Sequence, residues 1–308
     1  YAALSCLRSP QGLFQIEADT NFKVCQQIAP RDLEQLSAVV AIARPGALDF
    51  KDRYAEYART GESQSVHEFF DDILSYTGGI PLYQEQLMKM AVKVGFSLDE
   101  SEQLRRIVGK KKVDQMPAWK AKIEEKIEKN NLDPAIGDVL WSVAEDSANY
   151  SFNKSHSISY AYLAACTVYL KFNYPKEFFL SLLKYTKYEP NSHEEIAKIT
   201  QELGNFGIKL LPPDLNKSDI DFKIEEDNIR YGLNSIKGVS TKVLESLLEF
   251  REDSFANKYE VFLSAKQAGL NIGTLSALIQ AGLLDSFVSS NRCRLVLEAQ
   301  TFNILTDR

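Results

Sequence analysis

Residues 151–172 read SFNKSHSISYAYLAACTVYLKF, and the reading of the whole chain turns on this stretch. It opens on a polar knot, Asn153, Lys154, Ser155 and His156, then runs into an apolar, aromatic-rich segment whose single charge is Lys171. A run of this length, with Ala161, Leu163, Ala164, Ala165 and Leu170, suits a buried helix better than a strand. Ser155 or Ser157 stands where an N-cap is needed, and Pro175 lies just past the end. The helix start thus gathers a lysine, a histidine, two hydroxyls and backbone N–H groups without intrahelical acceptors, a combination able to hold an anionic phosphate. A buried helix with a polar cap and no ligand accounts for the same residues.

Composition sets the bounds around that stretch. The chain has 308 residues, enough for one large or two smaller domains, and 44% hydrophobic content supports a packed core. No apolar run reaches the length of a membrane span, because Lys171 interrupts the longest, and no signal peptide is expected. Tyr1 is not an initiator residue, so a piece of something longer or a processed product is expected. Cys6, Cys25, Cys166 and Cys293 are scattered without a CxxC pair, and His67, His156 and His193 are equally isolated. That spacing excludes a zinc-finger type of site and suits a reducing cytoplasm. The net charge of −6 argues against a uniformly basic coat, yet Arg105–Lys129 holds nine Lys/Arg against four Asp/Glu, a local excess of +5. Segregated charge lets an acidic protein present a phosphate-binding face.

Upstream, Leu33, Leu36, Val39, Val40 and Ala43 recur at helical spacing from Pro30 to Ala43, with Pro30 expected in the first turn. Arg44-Pro45-Gly46 stops that helix. Arg44, held by its proline and glycine, could reach a phosphate bidentately or act as a surface arginine at a helix C-terminus. Residues 51–62 predict an exposed charged helix. A stripe of Leu87, Met90, Ala91 and Val94 predicts another, ended by Gly95, and Ser97 with Glu100 has the capping-box spacing that opens the next. That helix turns Leu104, Ile107 and Val108 inward and Arg105, Arg106, Lys110, Lys111 and Lys112 mostly outward. Five cations within eight residues repel one another unless an anion is present, so the segment reads as a phosphate clamp or a solvated basic face. It is not a P-loop, since the required upstream glycine is missing. Two further helices are expected in 117–150, the second from Pro134, and one from about His193 to Leu203. Short strands and turns follow.

Several of these segments, in order, resemble one family. FNKSH followed by YAYLAA and LKFNYPKEFF is similar to the fingers region of the C-family replicative DNA polymerases, the alpha subunit of bacterial DNA polymerase III and its phage relatives. GLFQIEAD at 12–19 and ARPGALDF at 43–50 resemble the start of those fingers, with Ala47 where the family usually has a second proline. PLYQEQLMKMA leading to LRRIVGKKK resembles their Tyr-Gln-Glu-Gln and Gly-Lys-Lys elements, and tips the basic segment toward phosphate binding. PPDLNKSDIDF and IRYGLNSIKGV resemble the segment that follows the fingers. Asp219 and Asp221 therefore do not read as a catalytic metal pair, because the family's catalytic aspartates lie in a palm that precedes the fingers. Ile236-Lys237-Gly238-Val239-Ser240 resembles a helix-hairpin-helix turn, with Ser240 where a second glycine is usual and a following helix carrying Val243, Leu244, Leu247 and Leu248. Residues 270–287 would form its partner half, whose Ala281-Gly282-Leu283 turn is expected to lack a nearby cation.

The resemblance implies a mainly α chain: a multi-helix polymerase fingers domain at 1–205, linking strands at 206–228 and a tandem helix-hairpin-helix module at 229–308. It implies a segment of a DNA-directed DNA polymerase, inactive alone, with no catalytic or metal-binding residue of its own. A non-catalytic DNA-binding derivative is the alternative. Arg44, Arg105, Arg106, Lys110, Lys111, Lys112, Lys154, Ser155 and His156 are expected to serve nucleotide phosphates. Lys237, Gly238, Val239, Ser240 and Lys242 are expected to grip DNA. Implied partners are primer–template DNA, a deoxynucleoside triphosphate, a palm-containing segment or subunit holding Mg²⁺, and other replisome subunits. No membrane contact is expected.

Overall fold

The computed structural model describes residues 1–110, 115–239, 243, 245 and 255–305. They are mainly helical, with one three-stranded sheet, as the sequence predicts. The chain divides into two compact units, Tyr1–Phe172 and Asn173–Arg308.

The first unit contains α1 (Asp19–Ile28), α2 (Leu33–Ile42), α3 (Lys51–Thr60), α4 (Asp71–Leu74), α5 (Gln84–Val94), α6 (Leu98–Gly109), α7 (Met116–Lys129), α8 (Pro134–Tyr150) and α9 (Lys154–Asn173). The boundaries follow local chemistry. Ser97 and Glu100 form the expected reciprocal box, with Glu100 N donating to Ser97 Oγ at 3.1 Å and Ser97 N to Glu100 Oε2 at 2.8 Å. Pro134 opens α8 behind the Asp133 cap, whose Oδ1 accepts from Ala135 N. The expected start at Pro30 is corrected: Asp32 caps α2 through Gln35 N, so Pro30 precedes the helix. A side-chain cap satisfies an orphan N–H, which proline in the first turn does not.

Leu87, Met90, Ala91 and Val94 of α5 pack with Leu104 and Val108 of α6, Trp119, Ile123 and Ile127 of α7, and Leu140 and Ala144 of α8. Burying a large apolar side chain of this kind contributes about 1.5–3 kcal/mol. The cluster holds the N-terminus of α5 and the polar face of α6 in fixed relation.

α9 overturns the expectation of a buried helix. Its buried positions are Ser157, Ala161, Ala164, Val168 and Lys171, a seam repeating at four and three residues. Tyr162, Leu163, Tyr169 and Leu170 are exposed, while Lys171 is fully buried. The inversion has a steric cause, since small side chains let neighbouring backbone come close. Lys171 Nζ donates to Ser9 O at 3.2 Å and Gln11 O at 2.8 Å, and Phe14 N donates to Thr167 Oγ1. The ammonium therefore fastens the Ser9–Phe14 segment along the helix.

The second unit begins with α10 (Pro175–Tyr185) and α11 (Ser192–Leu203). The sheet of β1 (Leu210–Leu211), β2 (Lys223–Glu225) and β3 (Asn228–Arg230) has order β1-β3-β2, with β1 parallel and β2 antiparallel to β3. Phe179, Leu183, Ile199, Leu203, Phe222 and Ile229 form a core between α10, α11 and the sheet. A separate cluster joins α12 (Lys258–Gln267), α13 (Ile272–Ala281) and α14 (Arg292–Leu305). Among the described residues, no helix is long and apolar enough to cross a membrane.

Candidate functional site

Three motifs distant in sequence meet at the start of α9. The N-cap is Asn153, which corrects the expectation of Ser155 or Ser157: its Oδ1 accepts from His156 N at 2.8 Å and Ser155 Oγ at 2.7 Å. Its Nδ2 donates to Glu85 Oε1 at 2.9 Å. The same carboxylate accepts from Lys154 N at 3.0 and 3.1 Å. Glu85, from the first turn of α5, thus sits on the positive end of α9. The anion at this helix start is supplied by the chain itself. Lys154 Nζ pairs with Glu34 Oε2 at 3.0 Å and lies 4.6 Å from the Tyr76 ring centre. Ser155 and His156 are exposed, with the His156 ring 4.1 Å from Tyr160 and 5.5 Å from Phe152.

Backbone and buried hydroxyls hold this junction. Phe152 N donates to Leu82 O at 3.0 Å and Gln84 N to Phe152 O at 2.9 Å, a one-residue parallel bridge between Tyr83 and Phe152. Beneath it, Ser157 Oγ donates to Ser37 O at 2.7 Å, and Ser37 Oγ lies 2.8 Å from Ser157 Oγ and 3.0 Å from Tyr83 OH. Burial pushes the Tyr83 phenol well above its ordinary pKa, so it stays a neutral donor. Ser157 is a core residue that ties α9 to α2.

The Arg-Pro-Gly loop leans on the same place. Ala47 N donates to Arg44 O at 3.1 Å, closing a turn with Pro45 and Gly46 at its centre, and Gly46 has φ +90°. A proline in place of Ala47 would remove that donor. Arg44 Nε donates to Ala41 O at 2.9 Å and Nη2 to Tyr150 O at 2.7 Å, while the guanidinium stacks 4.2 Å from the Phe152 centre. Burial lowers its pKa from the ordinary value. The half-buried Arg44 thus joins the end of α2 to the α8–α9 connection.

Beside the junction, Gln84, Arg105, Arg106, Gly109 and Lys110 line an open depression of about 400 Å³. Arg105 donates from Nε and Nη2 to the two oxygens of Glu102, at 2.7 and 2.6 Å, and from Nη1 to Gln84 Oε1 at 3.1 Å. Arg106 Nε donates to Glu102 Oε1 at 2.8 Å. The hydrogen bonds from Arg105 first, then Arg106, hold the Glu102 carboxyl down at about 2. Lys110 is exposed at the end of α6, whereas Lys111 and Lys112 lie outside the described residues. Arg44, Lys154, Ser155 and His156 are therefore grouped at the α9 start, and Gln84 links that group to Arg105.

Glu34, Glu85, Gln84 and Glu102 were not singled out from sequence. Glu102 carried a local signal, three and four residues before two arginines. Glu34 carried none and Glu85 only its place in the Tyr-Gln-Glu-Gln element, because their partners are 120 and 69 residues away.

In the second unit, Lys237 and Gly238 are exposed and Val239 is half-buried. Val239 N donates to Ile236 O and Gly238 has φ +89°, so the turn needs its glycine. Ser240, Lys242, Leu244, Leu247 and Leu248 lie outside the described residues. The turn at Gly282 does have a cation beside it, contrary to expectation. Arg292 Nη1 donates to Gln280 O at 3.0 Å while its Nε and Nη2 engage Asp285. Asp219 pairs with Lys223 at 3.0 Å, and Asp221 with Asn234 and with Lys187 at 3.6 Å. Among the described residues no group of three or more His, Cys, Asp or Glu is placed to hold a metal ion.

The bacterial DNA polymerase III alpha subunit finger domain matches residues 2–131, and a helix-hairpin-helix motif matches residues 207–295. The DNA polymerase III subunit alpha of Thermus aquaticus is 33% identical over 93% of this chain and 24% of its own length. That of Campylobacter jejuni is 36% identical over 90% of this chain and 24% of its own, and that of Aquifex aeolicus 35% over 89% and 24%. The chain spans about a quarter of the length of these curated relatives.

Proposed function

We propose, given that this chain belongs to the bacterial DNA polymerase III alpha subunit family through its finger and helix-hairpin-helix segments, that it is part of a replicative DNA-directed DNA polymerase. Its role is to bind the incoming deoxynucleoside triphosphate and the primer–template. The observation that carries this reading is the convergence of residues 44–46, 83–86 and 151–157 on one junction, with exposed cations beside it. Arg44, Arg105, Arg106, Lys110, Lys111, Lys112 and Lys154 serve the phosphates, with Ser155 and His156 as supporting donors. Such cations offset charge that builds up as a primer 3′-hydroxyl attacks the alpha phosphate and pyrophosphate leaves. Mg²⁺, held by carboxylates of a palm-containing segment or subunit, supplies the Lewis acid.

Lys237, Gly238, Val239, Ser240 and Lys242 grip duplex phosphates through backbone N–H groups and charge, leaving sequence to base pairing. By this reading, residues 1–205 act as fingers, 206–228 as linking strands and 229–308 as the hairpin module, working in the cytoplasm with other replisome subunits. The exposed Tyr162, Leu163, Tyr169 and Leu170 on α9 support the need for a further protein segment, since contiguous apolar surface marks an interaction site.

Primer extension with Mg²⁺ and deoxynucleotides tests the proposal, using this chain alone and then joined to the palm-containing region of a relative. Extension only in the joined form is expected. Extension by the chain alone would place the catalytic carboxylates within it and return attention to Asp219 and Asp221. Silence in both, with salt-dependent DNA binding intact, would favour a non-catalytic DNA-binding protein.

A further inference from the structure

Resting on the phosphate-binding reading above, we propose that Glu102 is a built-in competitor that makes the Arg105–Arg106–Lys110 depression selective for polyphosphates over single phosphates. Both arginines already have an anion. Glu102 Oε1 accepts from Arg105 Nη2 at 2.6 Å and Arg106 Nε at 2.8 Å, and Oε2 accepts from Arg105 Nε at 2.7 Å. The residue is ionised at any physiological pH, so the three cations present a net +2 rather than +3.

The two arginines are not equivalent. Arg105 is fixed on two sides, by Glu102 and by Gln84 Oε1, and its side chain is 29% exposed. It acts as a strut that positions the carboxylate. Arg106 is 66% exposed and engages Glu102 through Nε. Lys110 lies one helical turn further on, at the rim of the same depression. Four residues apart, Arg106 and Lys110 share a helix face, a spacing that sets Cβ atoms about 5–6 Å apart.

That spacing decides which anions gain. A single phosphate reaching Arg106 meets a carboxylate already bonded there and adds repulsion to it. A tripolyphosphate is long enough to bridge Arg106 and Lys110 together. It carries enough charge to draw Arg106 off Glu102, while Arg105 keeps the carboxylate in place.

Calorimetric titration of tripolyphosphate and of orthophosphate, at constant ionic strength, tests this on the wild-type chain, Glu102→Gln and the double variant Arg106→Ala/Lys110→Ala. Glutamine keeps the shape of the side chain and removes the charge, and circular dichroism checks the fold. In Glu102→Gln, orthophosphate affinity should rise about three- to fivefold and tripolyphosphate affinity much less, so the selectivity ratio falls by roughly two- to fivefold. An unchanged ratio, or a parallel loss for both anions, overturns the competitor role. Tripolyphosphate binding that survives the double variant also overturns the proposal, because the anion then sits elsewhere, whereas tripolyphosphate binding that is absent from the wild type overturns the phosphate-binding reading instead.

Discussion

Replacing Gly46 by alanine should loosen the Arg-Pro-Gly loop and, with it, the grip of Arg44 on the α8–α9 connection. Gly46 has φ +90°, and a Cβ there would meet Asn149 O at 2.9 Å. Two costs combine. A non-glycine residue in the left-handed region costs about 1–2 kcal/mol. Pressing a methyl group against a backbone oxygen that cannot rotate away adds about 1–3 kcal/mol. Gly61 supplies the control, because it has φ +77° and nothing within 4 Å of a Cβ. Gly61→Ala should therefore cost only the conformational part, about 1–2 kcal/mol. Both tryptophans of the chain, Trp119 and Trp141, lie in the core of the first unit, so tryptophan fluorescence follows its unfolding without the second unit. For a unit of this size the Tm should fall by roughly 5–15 °C in Gly46→Ala and 2–6 °C in Gly61→Ala. If the two variants fall equally, the loop does not rest on Asn149 and the account of the junction fails.

Ser157→Ala removes the hydroxyl that donates to Ser37 O in the core. It should destabilise the first unit by about 1–3 kcal/mol, read as a lower urea midpoint of tryptophan fluorescence. In the second unit, Arg230 is buried, bidentate to Glu225 at 2.8 and 2.6 Å and bonded to Pro212 O. Arg230→Ala should cost about 3–5 kcal/mol, seen by hydrogen exchange of the β2–β3 amides, and a loss under 1 kcal/mol would show that the pair is not buried. Acid should erase the difference between wild type and Glu102→Gln. The native carboxyl sits near 2, below its unfolded value, so the stabilisation is complete above the unfolded pKa and disappears as pH falls through about 2. Tm measured for both proteins from pH 7 downward should therefore converge near pH 2; a gap that persists there would assign the effect to shape rather than charge.

A common arrangement underlies the candidate site. Glu102 holds two arginines, Glu34 holds Lys154, and Glu85 holds the α9 start. A cluster of like charges would repel itself, and internal carboxylates relieve that repulsion in the absence of ligand. Within the basic segment, Arg105, Arg106 and Lys126 each have a carboxylate partner of this kind.

By itself the sequence determined many of the helix boundaries and the resemblance to the polymerase fingers. Capping by Ser97 and Glu100, the stop at Gly95 and the start at Pro134 each depend on residues within one turn of the backbone they satisfy. The pairing of Glu102 with Arg105 and Arg106 is equally local, three and four residues along one helix. The tertiary structure alone decided which face of α9 is inside. Hydrophobicity pointed to the aromatics, but the seam that closes against α2 and the N-terminal segment is the one lined by Ser157, Ala161 and Ala164, where backbones can approach. Lys171 is buried because two carbonyls from residues 9 and 11 come to meet it, and Glu85 caps α9 because α5 begins beside it. Each of those partners lies more than sixty residues away along the chain, and no periodicity or local spacing encodes a contact at that range.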